Sequence, residues 1–130
     1  MARIFVVDDD QDMAYTTKTI LVRSGGYEVI SFYDARLAIE EAKKQKPDLI
    51  LMDMMMPHFS GAEAIKVLKN DPALAAIPVI ILTGLVSPDE YLDMTRVAVD
   101  GKAYKTLSKP YEIDELLKAV KESLRWSQYN

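Results

Sequence analysis

The chain has 130 residues, 49% of them hydrophobic and 28% charged, with no Cys and one His. That length suits one domain with a core large enough to stand without a staple. The composition excludes disulfide scaffolds, thiol nucleophiles, zinc–thiolate centres and His-cluster metal sites, and a net charge of -4 leaves no basic surplus for nucleic-acid binding by this domain.

Met1 to Val7 carries one positive charge and a short apolar run that ends in three acids, unlike a signal peptide. The run Ile4 to Val7 reads as a first strand. Met13, Thr17, Ile20 and Leu21 then share one helical face, and Gly25-Gly26 ends that helix. Tyr27 to Ser31 follows as a second, more exposed strand. Ala35, Ala38, Ile39 and Ala42 form the next helical face, closed by Lys43, Lys44, Lys46 and Pro47. Leu49 to Met52 is an unbroken apolar strand. Ser60 with Glu63 three residues on makes a capping box ahead of Ile65 and Leu68. A long uncharged stretch, Pro72 to Ser87, is interrupted by Pro78, Thr83 and Gly84; it reads as a loop and the buried strand Val79 to Leu82, not as a membrane span. Ser87-Pro88-Asp89-Glu90 is a second capping box with Pro at the first helical position. Ala103 to Leu107 is a fifth strand, and Ile113, Leu116, Leu117, Val120 and Leu124 form an amphipathic stripe over the last helix. Trp126 to Asn130 fit no pattern and read as a frayed tail or truncated linker after a domain over 1–125. A cytoplasmic location is expected.

Five strand–helix units in succession imply an α/β fold with a parallel sheet covered on both faces. All strand C-termini then lie on one edge, where ligands of such folds bind. Asp8, Asp9 and Asp10 follow the first strand, Asp53 the third, Thr83 and Gly84 the fourth, and Lys109-Pro110 the fifth. Clustered carboxylates raise one another's pKa unless a cation intervenes. Mg²⁺ takes oxygen ligands and tolerates such a cluster. Acids around Mg²⁺ with one Lys nearby suit phosphoryl chemistry, in which one Asp can attack phosphorus. Singly, each residue also has a plainer role. Asp10 or Asp12 suits a helix N-cap, His58 a surface loop, and the Met52, Met54, Met55, Met56 run packing.

The arrangement resembles the receiver domain of two-component response regulators from Arg3 to about Leu124. The matching segments are Val6-Val7-Asp8-Asp9-Asp10, Leu49 to Pro57 with Gly61, Val79-Ile80-Ile81-Leu82-Thr83-Gly84, and Leu107-Ser108-Lys109-Pro110-Tyr111. The resemblance implies a flavodoxin-like (βα)5 doubly wound sheet of strand order 2-1-3-4-5. It implies Asp53 as phosphoacceptor from a sensor histidine kinase or phosphotransfer protein. Mg²⁺ would be held by Asp9 directly, by Asp8 through water or a contact behind the ligands, by Asp53 and by the Met55 backbone carbonyl. Thr83 and Lys109 would engage the phosphoryl group, and Pro110 would follow a cis peptide bond. The switched surface would act on a downstream partner not named by the sequence.

The chain departs from the family at two places. Thr106 stands where an aromatic residue usually reports the movement of the Thr after strand four, and Gly101 comes one position early. In the family, the residues two beyond the Asp and two beyond the Thr guard the path of attacking water. Here they are the apolar Met55 and Leu85, which implies slow self-dephosphorylation. Two other readings compete: a degenerate receiver acting only as an interaction module, and a haloacid-dehalogenase-type phosphatase built on Asp8-x-Asp10. The second leaves Asp53 and Pro57 unexplained. An EF-hand over Asp8-x-Asp10-x-Asp12 fails, because Met13 replaces the required Gly. Gln11, Met13, Ala14 and Tyr15 are candidate partner contacts, and Asp93, Arg96, Lys105 and Lys118 could pair across a homodimer.

Overall fold

The computed structural model describes residues 1–57, 59–83, 96–99, 102–109 and 111–129. Its elements run β1 Arg3–Val7, α1 Gln11–Gly25, β2 Glu28–Phe32, α2 Ala35–Gln45, β3 Leu49–Asp53, α3 Gly61–Asn70, β4 Val79–Thr83, β5 Arg96–Val99, β6 Lys102–Ser108 and α4 Ile113–Tyr129. Five strands are parallel, in the order β2-β1-β3-β4-β6, and β5 pairs antiparallel with the outer edge of β6. The parallel strands therefore keep the order 2-1-3-4-5 once the added edge strand is set aside.

β1, β3 and β4 lie inside the sheet and are covered on both faces, which is why they are apolar without alternation. Successive side chains go to opposite faces. Phe5, Ile50, Met52 and Ile81 pack under α2 and α3. Ile4, Leu49, Leu51 and Leu82 pack with residues of α1 and α4. Full burial of each such side chain is worth about 2 kcal/mol.

The helix ends follow local chemistry. Asp10 caps α1, its carboxylate accepting from the Asp12 and Met13 amides at 3.1 and 3.2 Å. Gly26 closes α1 at φ 70°, its amide and that of Tyr27 returning to Val22 and Leu21, a left-handed cap that favours Gly. Ser60 and Glu63 form the expected capping box of α3.

Three sequence expectations need correction. Arg96–Val99, where the five-strand reading has no strand, is a strand. Its register pairs Val99 with Lys102, so the two residues between them in sequence are Asp100 and Gly101, the pair that two-residue hairpins favour. The last helix does not stop at Leu124 but continues to Tyr129, so Trp126 to Tyr129 belong to it. Ala14 is fully buried; the buried face of α1 is Ala14, Thr17 and Leu21, at spacings of three and four. Gln11 and Tyr15 are exposed and Met13 is half-buried. His58, Gly84, Leu85, the Ser87 to Glu90 capping box, Asp93, Gly101 and the expected cis-Pro at Pro110 lie outside the described residues. No helix among the described residues is long and apolar enough to cross a membrane.

Candidate functional site

Asp8 stands one residue beyond β1, and Asp53 is the last residue of β3. The two strands are neighbours, with Val7 beside Met52, so the carboxylates meet at the C-terminal edge. Asp8, Asp9 and Asp53 each place one carboxylate oxygen within 4.8 Å of the others. Asp8 and Asp53 are buried while Asp9 is exposed. Asp8 is fixed from both sides: its backbone amide donates to Phe32 O at 3.0 Å, and its Oδ1 accepts from the Asp10 amide at 3.0 Å.

Lys109 enters from the end of β6. Its Nζ lies 2.6 Å from Asp8 Oδ2 and 3.5 Å from Asp53 Oδ2. Its backbone amide donates to Thr83 O at 2.7 Å, joining the ends of β4 and β6. Thr83 is buried at the end of β4. The Asp53 loop is held by Met54 N to Leu82 O at 2.9 Å and by Met55 N to Asp53 Oδ1 at 3.2 Å. The Met55 side chain is 63% exposed.

Burial raises the Asp53 carboxyl to about 7. Lys109 pulls it down and Asp8 pushes it up; because Lys109 sits nearer Asp8, Asp53 receives only part of its charge. Burial alone would lower the Lys109 ammonium. The hydrogen bond to Asp8 and the charges of Asp53 and Asp8 outweigh that and hold it above its usual value.

A stability consequence follows from Asp53. Between about pH 4 and pH 7 the folded state holds a proton there that the unfolded chain has released. The unfolding free energy therefore falls as pH rises through that window and is flat above it. In metal-free buffer Asp53→Asn is expected to stabilise the protein by about 2–4 kcal/mol above pH 7, with the advantage fading towards pH 4. Urea unfolding of both proteins across that range checks it; an equal gain at pH 4 and pH 8 would remove the electrostatic cause.

Thr106 is buried in β6, opposite Ile81, and its Oγ1 donates to Tyr104 O at 3.3 Å. It has no ring to swing. Lys105, offered as a dimer contact, instead pairs with Glu122 of α4 in the same chain. A contact not expected from the sequence joins the loop after Lys109 to α1: the Tyr111 hydroxyl is hydrogen-bonded to Thr17 Oγ1. A pocket of about 150 Å³ opens beside Asp9, lined by Tyr33, Met56 and Phe59 among others. A larger one, about 520 Å³, lies at the opposite edge among Ala2, Tyr27 and Asp48, far from the carboxylates.

The oxygen-only donor set, two of its acids buried beside one ammonium, fits a hard divalent cation such as Mg²⁺. Comparison with known proteins bears on the same residues. The family model described as response regulator receiver domain matches residues 4–121. Protein PilH of Pseudomonas aeruginosa is 34% identical over 120 residues, covering 92% of this chain and 95% of that protein. The polar-differentiation response regulator DivK of Brucella anthropi is 32% identical over 125 residues, covering 95% and 98%. Among solved structures, the signal receiver domain of a signal transduction histidine kinase from Syntrophus aciditrophicus superposes with a TM-score of 0.81 at 30% identity, covering 97% of this chain and 92% of that one. The sheet order, the acidic edge and a family match along most of the chain agree: this protein belongs to the response regulator receiver domain family.

Proposed function

We propose that Asp53 accepts a phosphoryl group from a phosphohistidine donor on a kinase or phosphotransfer protein. The observation that carries this reading is the meeting of Asp53, Asp8 and Asp9 with the Lys109 ammonium at one sheet edge. A carboxylate oxygen of Asp53 attacks phosphorus, the P–N bond to the donor imidazole breaks, and the imidazole, already protonated on its other ring nitrogen, leaves neutral. Asp8, Asp9, Asp53 and the Met55 carbonyl would hold Mg²⁺, which when bound neutralises oxygens of the transferring group. Lys109 offsets further charge from 3.5 Å away. Thr83 then donates its hydroxyl to the new phosphoryl group. We place this reaction in the cytoplasm, with partners docking over the exposed Gln11 and Tyr15 and the pocket beside Asp9. With Thr106 in place of an aromatic ring, the change at Thr83 leaves by another route to the downstream target.

Labelled phosphoramidate, a small P–N donor, tests the reading. The label should enter only with Mg²⁺ and be released by hydroxylamine, as acyl phosphates are. A hydroxylamine-resistant label would contradict it, and steady turnover of simple phosphate esters would favour a phosphatase.

The adduct is expected to be long-lived, because the Met55 side chain beside Asp53 is apolar and cannot orient water. Met55→Asn should shorten its lifetime about tenfold, equivalent to about 1.4 kcal/mol of barrier. Decay of the isolated phosphoprotein at fixed pH measures this; an unchanged lifetime would show that Met55 does not guard the bond.

A further inference from the structure

We propose that the Thr17–Tyr111 hydroxyl pair is a latch that sets the position of Lys109, making Tyr111 a positioning residue for phosphoryl transfer. The proposal rests on the function above. Lys109 and Tyr111 lie in the segment between the end of β6 and the start of α4. At its start that segment is tied to Thr83 by the Lys109 amide. Two residues on, Tyr111 packs against the core that α1 and α4 share with the sheet. There its hydroxyl meets Thr17, which is fully buried on α1.

Neither hydroxyl is needed to fill space. A ring without a hydroxyl would pack at position 111, and a methyl would replace the hydroxyl of residue 17 between Ala14 and Leu21. A buried hydroxyl that loses its partner costs about 1–3 kcal/mol, whereas removing both partners together can be nearly neutral. Each residue is therefore explained by the other, and the pair specifies one spacing between the Lys109 segment and α1.

That spacing matters because α1 starts directly after Asp8 and Asp9 and is capped by Asp10. Its cap, Asp10, is hydrogen-bonded to Asp8, and Asp8 holds the Lys109 ammonium at 2.6 Å. The connections close a ring: Asp8 to Lys109, along the chain to Tyr111, across to Thr17, and back down α1 to Asp10 and Asp8. The ammonium and the carboxylates thus share one frame, tied at both ends. When a phosphoryl group reaches Asp53, the ammonium must shift its attraction from Asp8 towards it. The latch keeps the segment from withdrawing as it does so.

The test is the rate of adduct formation from an acyl phosphate with Mg²⁺, at varied donor concentration, alongside urea unfolding. Tyr111→Phe and Thr17→Val should each lower the maximal labelling rate about tenfold and leave the half-saturating donor concentration unchanged. Thr17→Ser, which keeps the hydroxyl, should label like wild type. The double variant Thr17→Val/Tyr111→Phe should recover stability but stay as slow as either single change. Wild-type labelling in the single variants, or a double variant that regains rate together with stability, would overturn the latch while leaving Asp53 as acceptor. A wild-type protein that takes no label would overturn the function itself and the latch with it.

Discussion

Lys109→Ala is expected to cost the metal-free protein about 3 kcal/mol at neutral pH, the usual penalty for removing one partner of a buried ion pair. The Lys109 side chain is 13% exposed, and those of Asp8 and Asp53 are 1% and 6% exposed. Without the ammonium, buried Asp8 loses its partner, and Asp53, whose carboxyl Lys109 otherwise pulls down, must either take up a proton or face Asp8 and Asp9 as a like charge within 4.8 Å. Two further signs separate this from simple loss of packing. The penalty should shrink near pH 5, where Asp53 holds its proton, and Mg²⁺ should stabilise the variant more than wild type because the cation replaces the missing charge. Phosphorylation should slow about 100-fold. Urea unfolding with and without Mg²⁺, beside a labelling time course, measures all of this. A penalty unchanged by pH and by Mg²⁺ would assign Lys109 a purely steric role.

Gly61→Ala is expected to damage fold and site together. A Cβ at this position would lie 2.3 Å from the Asp53 carbonyl oxygen and 2.8 Å from Met54 Cα. Both are backbone atoms at the turn that presents Asp53, and neither can swing aside. The Gly61 amide also donates to Met54 O at 3.2 Å, so α3 cannot back away without losing that bond. Overpacking of this kind costs about 1–3 kcal/mol. A shift of about 1 Å in the carboxylate is enough to slow labelling about 100-fold. Gly26→Ala is the control. It meets nothing within 4 Å but is strained by its φ of 70°, so it should cost about 1 kcal/mol and leave the labelling rate alone. Equal effects of the two substitutions on labelling would break the link between the Gly61 contact and the site.

Much of this site is legible in the sequence because strand termini are legible. β1, β3 and β4 are buried on both faces, so their apolar runs stand out, and the residues that end them fall on one edge by topology. Local chemistry is equally visible: Asp10 and Ser60 cap helices within three residues of themselves. Contacts between distant residues are not. Thr17 and Tyr111 are 94 positions apart, and nothing in either neighbourhood says that their hydroxyls meet. Ala14 misled because apolar weight favours Met13, although the three- and four-residue spacing to Thr17 and Leu21 marks the buried face. The edge strand β5 has only four residues, too short for periodicity to register. Its signal was Asp100-Gly101 between Val97-Ala98-Val99 and Lys102-Ala103-Tyr104, a hairpin pattern hidden by reading Gly101 as a displaced turn residue.

The most direct test of the account is the intact mass of the protein after incubation with Mg²⁺ and a small acyl phosphate, beside Asp53→Asn treated identically. The account predicts a single phosphoryl adduct on the wild-type chain, lost when EDTA replaces Mg²⁺ and absent from Asp53→Asn. An adduct of equal extent on Asp53→Asn, or one formed equally well in EDTA, would contradict it.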